Sequence, residues 1–146
     1  MEFRKIAVAF DGSADSVRAV MTARELAEKF GSEIVVVHVY APPVMAYGWA
    51  TGMPVTDWKG VEDAARKGAE EILARGVSAT GGMGKARGEL LEGSSIVQAL
   101  ADYSGANKVD LLVVGTRGMT GFKKLVMGSV SGGLASHAPC AVLVVR

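Results

Sequence analysis

The sequence has one cysteine, Cys140, in 146 residues. A disulfide within the chain is therefore excluded, and a reducing compartment is expected. Long apolar runs are also missing, since no stretch reaches the roughly 18 apolar residues that a membrane-crossing helix needs. Met1 to Ile6 leads straight into strand-like sequence without an apolar signal core, so a cytoplasmic protein with no membrane partner is expected. Charge of one sign is lacking too. Sixteen Lys and Arg against fifteen Asp and Glu leave a formal charge of +1. With no basic arm, acidic tail or polybasic run, no nucleic-acid partner is expected. His and Cys do not cluster at zinc-ligand spacing.

Apolar residues make up 49% of the chain, enough for a core in one domain spanning 1–146. Lys5 to Phe10 is a short apolar run closed by the turn signal Asp11-Gly12-Ser13. Val20, Ala23, Ala27 and Phe30 then recur at helical spacing, with Ser13 as N-cap and Gly31 as C-terminal stop. Glu33 to Tyr40 reads as a strand buried on both faces. Ala41 to Asp57, broken by Pro42, Pro43, Gly48, Gly52 and Pro54, reads as a long loop. Its Met45, Tyr47, Trp49 and Met53 could form a lid or simply pack. A helix is expected from Trp58 to about Arg75, and a weak edge strand over Lys85–Gly88. Ser94 or Ser95 should cap a helix carrying Ile96, Val97, Leu100 and Ala101. A strand over Asp110–Gly115, a helix over Ser129–Ser136 and a strand over Ala141–Val145 complete the chain.

Strands alternating with helices predict a doubly wound, parallel five-stranded α/β sheet of order 3-2-1-4-5, with helices on both faces. In such sheets ligands bind beyond the strand carboxyl ends, where the strand order reverses. That point lies between the loop after strand 1, Asp11-Gly12-Ser13, and the loop after strand 4, from Gly115 to Ser129. Gly115 can end the strand without a Cβ clash, and Gly118 can expose successive amides to an anion. Gly128-Ser129 opens the last helix, whose free amides and dipole suit a phosphate, with the Ser129 and Ser131 hydroxyls in reach. Arg117, Lys123 and Lys124 add positive charge, although the lysines read more simply as a solvated loop face. Asp11 could be no more than a cap for the first helix. His38 reads as a satisfied core histidine, His137 as a cation at a helix C-terminus, and Cys140 as an inert thiol.

The spacing Gly115-x2-Gly118-x9-Gly128-Ser129, continued by Val130-Ser131, resembles the nucleotide-binding signature of universal stress proteins. Ile6 to Ser13, Val37-His38-Val39, and His137-Ala138-Pro139-Cys140 with Val142 to Val145 resemble further segments of that family. The resemblance implies ATP, or AMP or ADP, as ligand, with Mg2+ on its phosphates. It implies that Asp11 faces the ribose or the metal, and that Ala9, Phe10 and Val39 lie at the adenine. Gly115, Thr116, Arg117 and Gly118 would wrap the ribose and phosphates, and Gly128, Ser129, Val130 and Ser131 would hold the phosphate chain. It further implies a homodimer joined through the last strand, whose apolar edge invites pairing. Three roles follow: a nucleotide-dependent switch or sensor in the stress response, a slow Mg-dependent ATPase, or a dimeric scaffold. Binding ranks above catalysis because no residue stands out as a base.

Overall fold

A computed structural model describes residues 2–43, 52, 57–116 and 128–146. Met45, Tyr47, Trp49, Met53, Arg117, Gly118, Lys123 and Lys124, all singled out above, lie outside the described residues. The elements follow the order β1 (Lys5–Ala9), α1 (Ala14–Phe30), β2 (Glu33–Tyr40), α2 (Trp58–Ser78), β3 (Ala86–Glu92), α3 (Ile96–Ala106), β4 (Leu111–Gly115), α4 (Ser129–His137) and β5 (Ala141–Val145). The five strands form one sheet of order β3-β2-β1-β4-β5, and every neighbouring pair is parallel. The expected strand order is the observed one.

Side chains on a strand alternate between faces, so two cores result. On one face Ile6, Val8, Phe10, Ile34 and Val36 meet Val20 and Ala23 of α1, with Ile72 and Val77 of α2 packed alongside. On the other, Ala7, Val35, Val37, Leu112 and Val114 meet Leu100 of α3 and Leu134 of α4. Burial on both faces is why β1, β2 and β4 read as unbroken apolar runs. Each buried Val, Leu or Ile contributes about 1.5–3 kcal/mol through removal from water.

Local signals explain the ends. The Ser13 hydroxyl accepts from Ser16 N at 3.2 Å, and Gly31 closes α1 in the left-handed region at φ 66°. The Asp57 carboxylate accepts from Gly60 N at 2.9 Å at the start of α2. Ser95, not Ser94, caps α3. Phe30 departs from the expectation. It is 56% exposed and stacks edge-on with Phe3 at 5.5 Å, because α1 has passed the rim of the sheet by its last turn. Among the described residues no helix is long and apolar enough to cross a membrane.

Candidate functional site

Beyond the carboxyl ends of β1, β2 and β4 lies a cleft of about 480 Å3, part of it continuous with solvent. Three strand exits supply most of the wall: Ala9-Phe10-Asp11 after β1, Val37-His38-Val39 at the end of β2, and Val114-Gly115 at the end of β4. Ile96 and Leu100 of α3 and Val130 of α4 close the far side, and Ser16 enters from α1. Topology produces the opening. The crossovers α1 and α2 cover one face, α3 and α4 cover the other, and the chain turns away in opposite directions from β1 and β4.

Asp11 is half-buried in a local turn, where its Oδ1 accepts from Ser13 N at 2.9 Å. Capping of α1 falls to Ser13, while Asp11 lines the cleft. Gly12 follows at φ 87°, a conformation that suits only glycine. His38 is buried, and its Nδ1 lies 2.8 Å from the Phe10 carbonyl. A carbonyl only accepts, so the proton sits on Nδ1, and the histidine joins β2 to the exit of β1. It is a satisfied core histidine, as expected.

On the β4 side, Thr116 N donates to Val145 O at 2.9 Å and Gly128 N donates to Thr116 O at 2.9 Å. The exit of β4 is thereby fastened to the start of α4. A Cβ on Gly128 would stand 2.6 Å from Thr116 O, so only glycine allows this approach. A Cβ on Gly115 would stand 2.9 Å from the Asp15 carbonyl carbon. Two of the three signature glycines, Gly115 and Gly128, are thus required by close backbone packing. Gly128 is the N-cap of α4 and provides no side chain to satisfy the first turn. As at any helix start, the amides of Ser129, Val130 and Ser131 have no partner within the helix. Ser129 is exposed. Ser131 is buried and donates to Gly128 O at 3.1 Å, so its hydroxyl secures the turn rather than standing open in the cleft.

Of the sequence-predicted residues, the cleft is lined by Ala9, Phe10, Asp11, Val39, Gly115 and Val130. Thr116, Gly128, Ser129 and Ser131 stand at its β4–α4 margin. Arg117 and Gly118 lie outside the described residues. Sequence reasoning did not assign Ser16, Val37, Ile96, Leu100 or Val114 to the site, although all of them line the cleft. Ile96 is 44% exposed, unusual for an apolar side chain at the first turn of a helix that packs on the sheet. Its position just after a serine cap, on the helix feeding β4, was the available signal. Cys140 is half-buried, and burial pushes its thiol up, in keeping with an unreactive role. Among the described residues no group of three or more His, Cys, Asp or Glu could hold a metal ion.

The fold and cleft define a class: a doubly wound parallel α/β protein with a cleft at the switch point. The chain belongs to the universal stress protein family, whose sequence profile matches residues 2–146. A universal stress protein from Thermus aquaticus is 33% identical over 150 residues, covering 99% of both chains. One from Methanocaldococcus jannaschii is 30% identical and covers 99% of this chain and 82% of its own. Among solved structures, UspA of Lactobacillus plantarum superposes with a TM-score of 0.80 at 19% identity, covering 100% of this chain and 99% of its own. A universal stress protein in complex with cAMP gives 0.73 at 24% identity, covering 100% and 99%. The Archaeoglobus fulgidus protein in complex with dAMP gives 0.68 at 22% identity, covering 100% of both chains.

Proposed function

We propose that this protein, as one cytoplasmic domain over 1–146, binds an adenine nucleotide in the cleft between β1 and β4 and acts as a nucleotide-dependent switch. The observation that carries this reading is the division of the cleft wall. One part is apolar, from Ala9, Val37, Val39, Ile96, Val114 and Val130. The other part is polar, with the half-buried Asp11 carboxylate and the open first turn of α4 nearby. A flat base loses little by leaving water for an apolar wall, a carboxylate accepts from ribose hydroxyls, and helix amides meet phosphate oxygens. Family members in complex with cAMP and dAMP support adenine as the base.

ATP, ADP and AMP share the base and ribose, so the walls alone do not separate them. Asp11 is the one carboxylate among the described residues that line the cleft. That donor set suits Mg2+ held mainly by phosphate oxygens, with Asp11 as its protein ligand. Nucleotide occupancy would shift the population of surfaces that a partner meets, to the extent that the two states hold the nucleotide differently. The apolar, uncharged β5 supports pairing with a second copy of the chain.

Two measurements test the reading. The purified protein is heat-denatured and the released small molecules are chromatographed, which is expected to yield an adenine nucleotide. Calorimetric titration with ATP and Mg2+ is then compared with Ala9→Leu. The Ala9 methyl sits on the cleft face of β1, so a leucine there occupies the base site. Binding is expected to weaken at least ~tenfold, the equivalent of about 1.4 kcal/mol. Absence of both released nucleotide and binding heat for ATP, ADP, AMP or cAMP at millimolar concentration would reject the reading.

A further inference from the structure

We propose that Asp15, a residue outside the glycine signature, is a positioning residue for the phosphate end of the cleft and acts through Thr116. The inference rests on the nucleotide reading above. Thr116 is a junction. Its amide holds β5 through Val145 O, its carbonyl holds the N-cap of α4 through Gly128 N, each at 2.9 Å, and its Oγ1 donates to Asp15 Oδ2 at 3.2 Å. The Asp15 side chain is only 14% exposed and keeps its other oxygen on Arg18. The Gly115 backbone lies against Asp15 so closely that a Cβ on Gly115 would fall 2.9 Å from Asp15 Cβ. The first turn of α1 is therefore the seat on which the exit of β4 rests.

The orientation of the Thr116 carbonyl decides where Gly128 sits, and Gly128 decides where the free amides of Ser129 and Val130 point. Threonine is stiff about χ1, so anchoring its hydroxyl also limits the backbone beside it. Asp15 thus holds the anion-facing end of α4 in place without touching the ligand. Pre-set donors bind more tightly because less ordering remains to be done on binding. The chemistry specifies the effect further. The clasp governs the α4 end of the cleft, whereas most of the base wall, Ala9, Val37, Val39 and Ile96, belongs to β1, β2 and α3. Loss of the clasp should weaken a nucleotide in proportion to what its phosphates contribute and leave the nucleoside alone.

The test is calorimetric titration of ATP with Mg2+, and of adenosine, into the full-length chain and its variants, with thermal melts as a check of folding. Asp15→Ala and Thr116→Val are each expected to bind ATP roughly tenfold more weakly, as for loss of one hydrogen bond to a charged group, with adenosine affinity unchanged. Asp15→Asn and Thr116→Ser keep an acceptor and a hydroxyl, and are expected to recover most of the ATP affinity. The double variant Asp15→Ala/Thr116→Val should be no worse than either single one, since both remove the same contact. Arg18→Gln, which removes only the ion pair, should stay within about twofold of the parent protein. Unchanged ATP affinity in Asp15→Ala, an equal loss for adenosine, or a full loss in Arg18→Gln would each overturn the role of Asp15 while leaving nucleotide binding intact. A parent protein that binds neither ATP nor adenosine would remove the nucleotide reading and this inference with it.

Discussion

At the scale of single residues, glycine positions divide into those required by φ and those required by approach. Gly76 belongs to the second kind and explains a difference between expectation and structure. Sequence reading, from Ala, Glu, Lys and Leu content, ends the second helix near Arg75, just before Gly76. The helix in fact runs to Ser78. A Cβ on Gly76 would stand 2.7 Å from the Phe10 ring and 2.8 Å from Val36 Cγ1, and both of those side chains are buried in the sheet core. The glycine therefore lets α2 settle onto the sheet next to the residue that leads into Asp11. Gly76→Ala gains helix propensity and loses more to overpacking, for an expected net destabilisation of about 1–2 kcal/mol. Urea denaturation measures it, and a stabilised Gly76→Ala would mean that α2 sits less tightly than the distances indicate. Asp11, Ser13 and Gly31 were legible at this scale because each obeys a local rule of turn or cap. Asp15 was not, because its partner Thr116 is 101 residues away and no local pattern announces that bond.

Among the elements, the two edge strands make opposite choices. β3 was expected as a short strand over Lys85–Gly88, yet it pairs with β2 from Ala86 to Glu92. Glu89 and Glu92 hide it from a reader looking for apolar runs, but charge is how an edge strand avoids unwanted pairing. Arg87 of β3 ties Glu33 of β2 at 2.8 Å and Glu89 at 2.5 Å. The hydrogen bond from Arg87 chiefly holds the Glu33 carboxyl below its ordinary value, against a smaller opposing effect of burial. The native pKa is thus lower than the unfolded one, so the stabilisation is fully present above the ordinary carboxylate pKa, about 4.3. It is lost as the pH falls through the lower native value. Because both side chains are over a third exposed, the increment is small, in the ~0.2–1 kcal/mol range of surface pairs. Acid unfolding followed by circular dichroism should therefore show a shallower decline below pH ~4 in Arg87→Gln than in the parent, at low salt. Identical slopes would show that Glu33 gains nothing from its arginine.

For the whole molecule, the alternation of strand and helix led to a doubly wound parallel sheet, because right-handed crossovers leave few alternatives, while the order 3-2-1-4-5 was an expectation that alternation alone does not dictate. The same reading placed the cleft, since the switch point follows from the order. It reached only part of the wall: Ile96 comes from a helix whose position over the sheet depends on packing between Leu100 and the β-strands, which no local spacing encodes. The order also leaves β5 at the edge opposite β3. Its five residues, Ala141 to Val145, are all apolar, and every one is only half-buried. Whereas β3 guards its edge with Arg87, Glu89 and Glu92, β5 carries no charge at all along its length. An unguarded apolar edge is stable in solution when a second strand covers it, and a two-fold axis brings the same edge of another copy into register. Light scattering at micromolar concentration is expected to give twice the chain mass. Val142→Lys sets a like charge against itself across that axis and is expected to give a folded monomer by the same measurement. A monomeric parent protein, or a Val142→Lys variant that stays dimeric, would show that β5 is not where the copies meet.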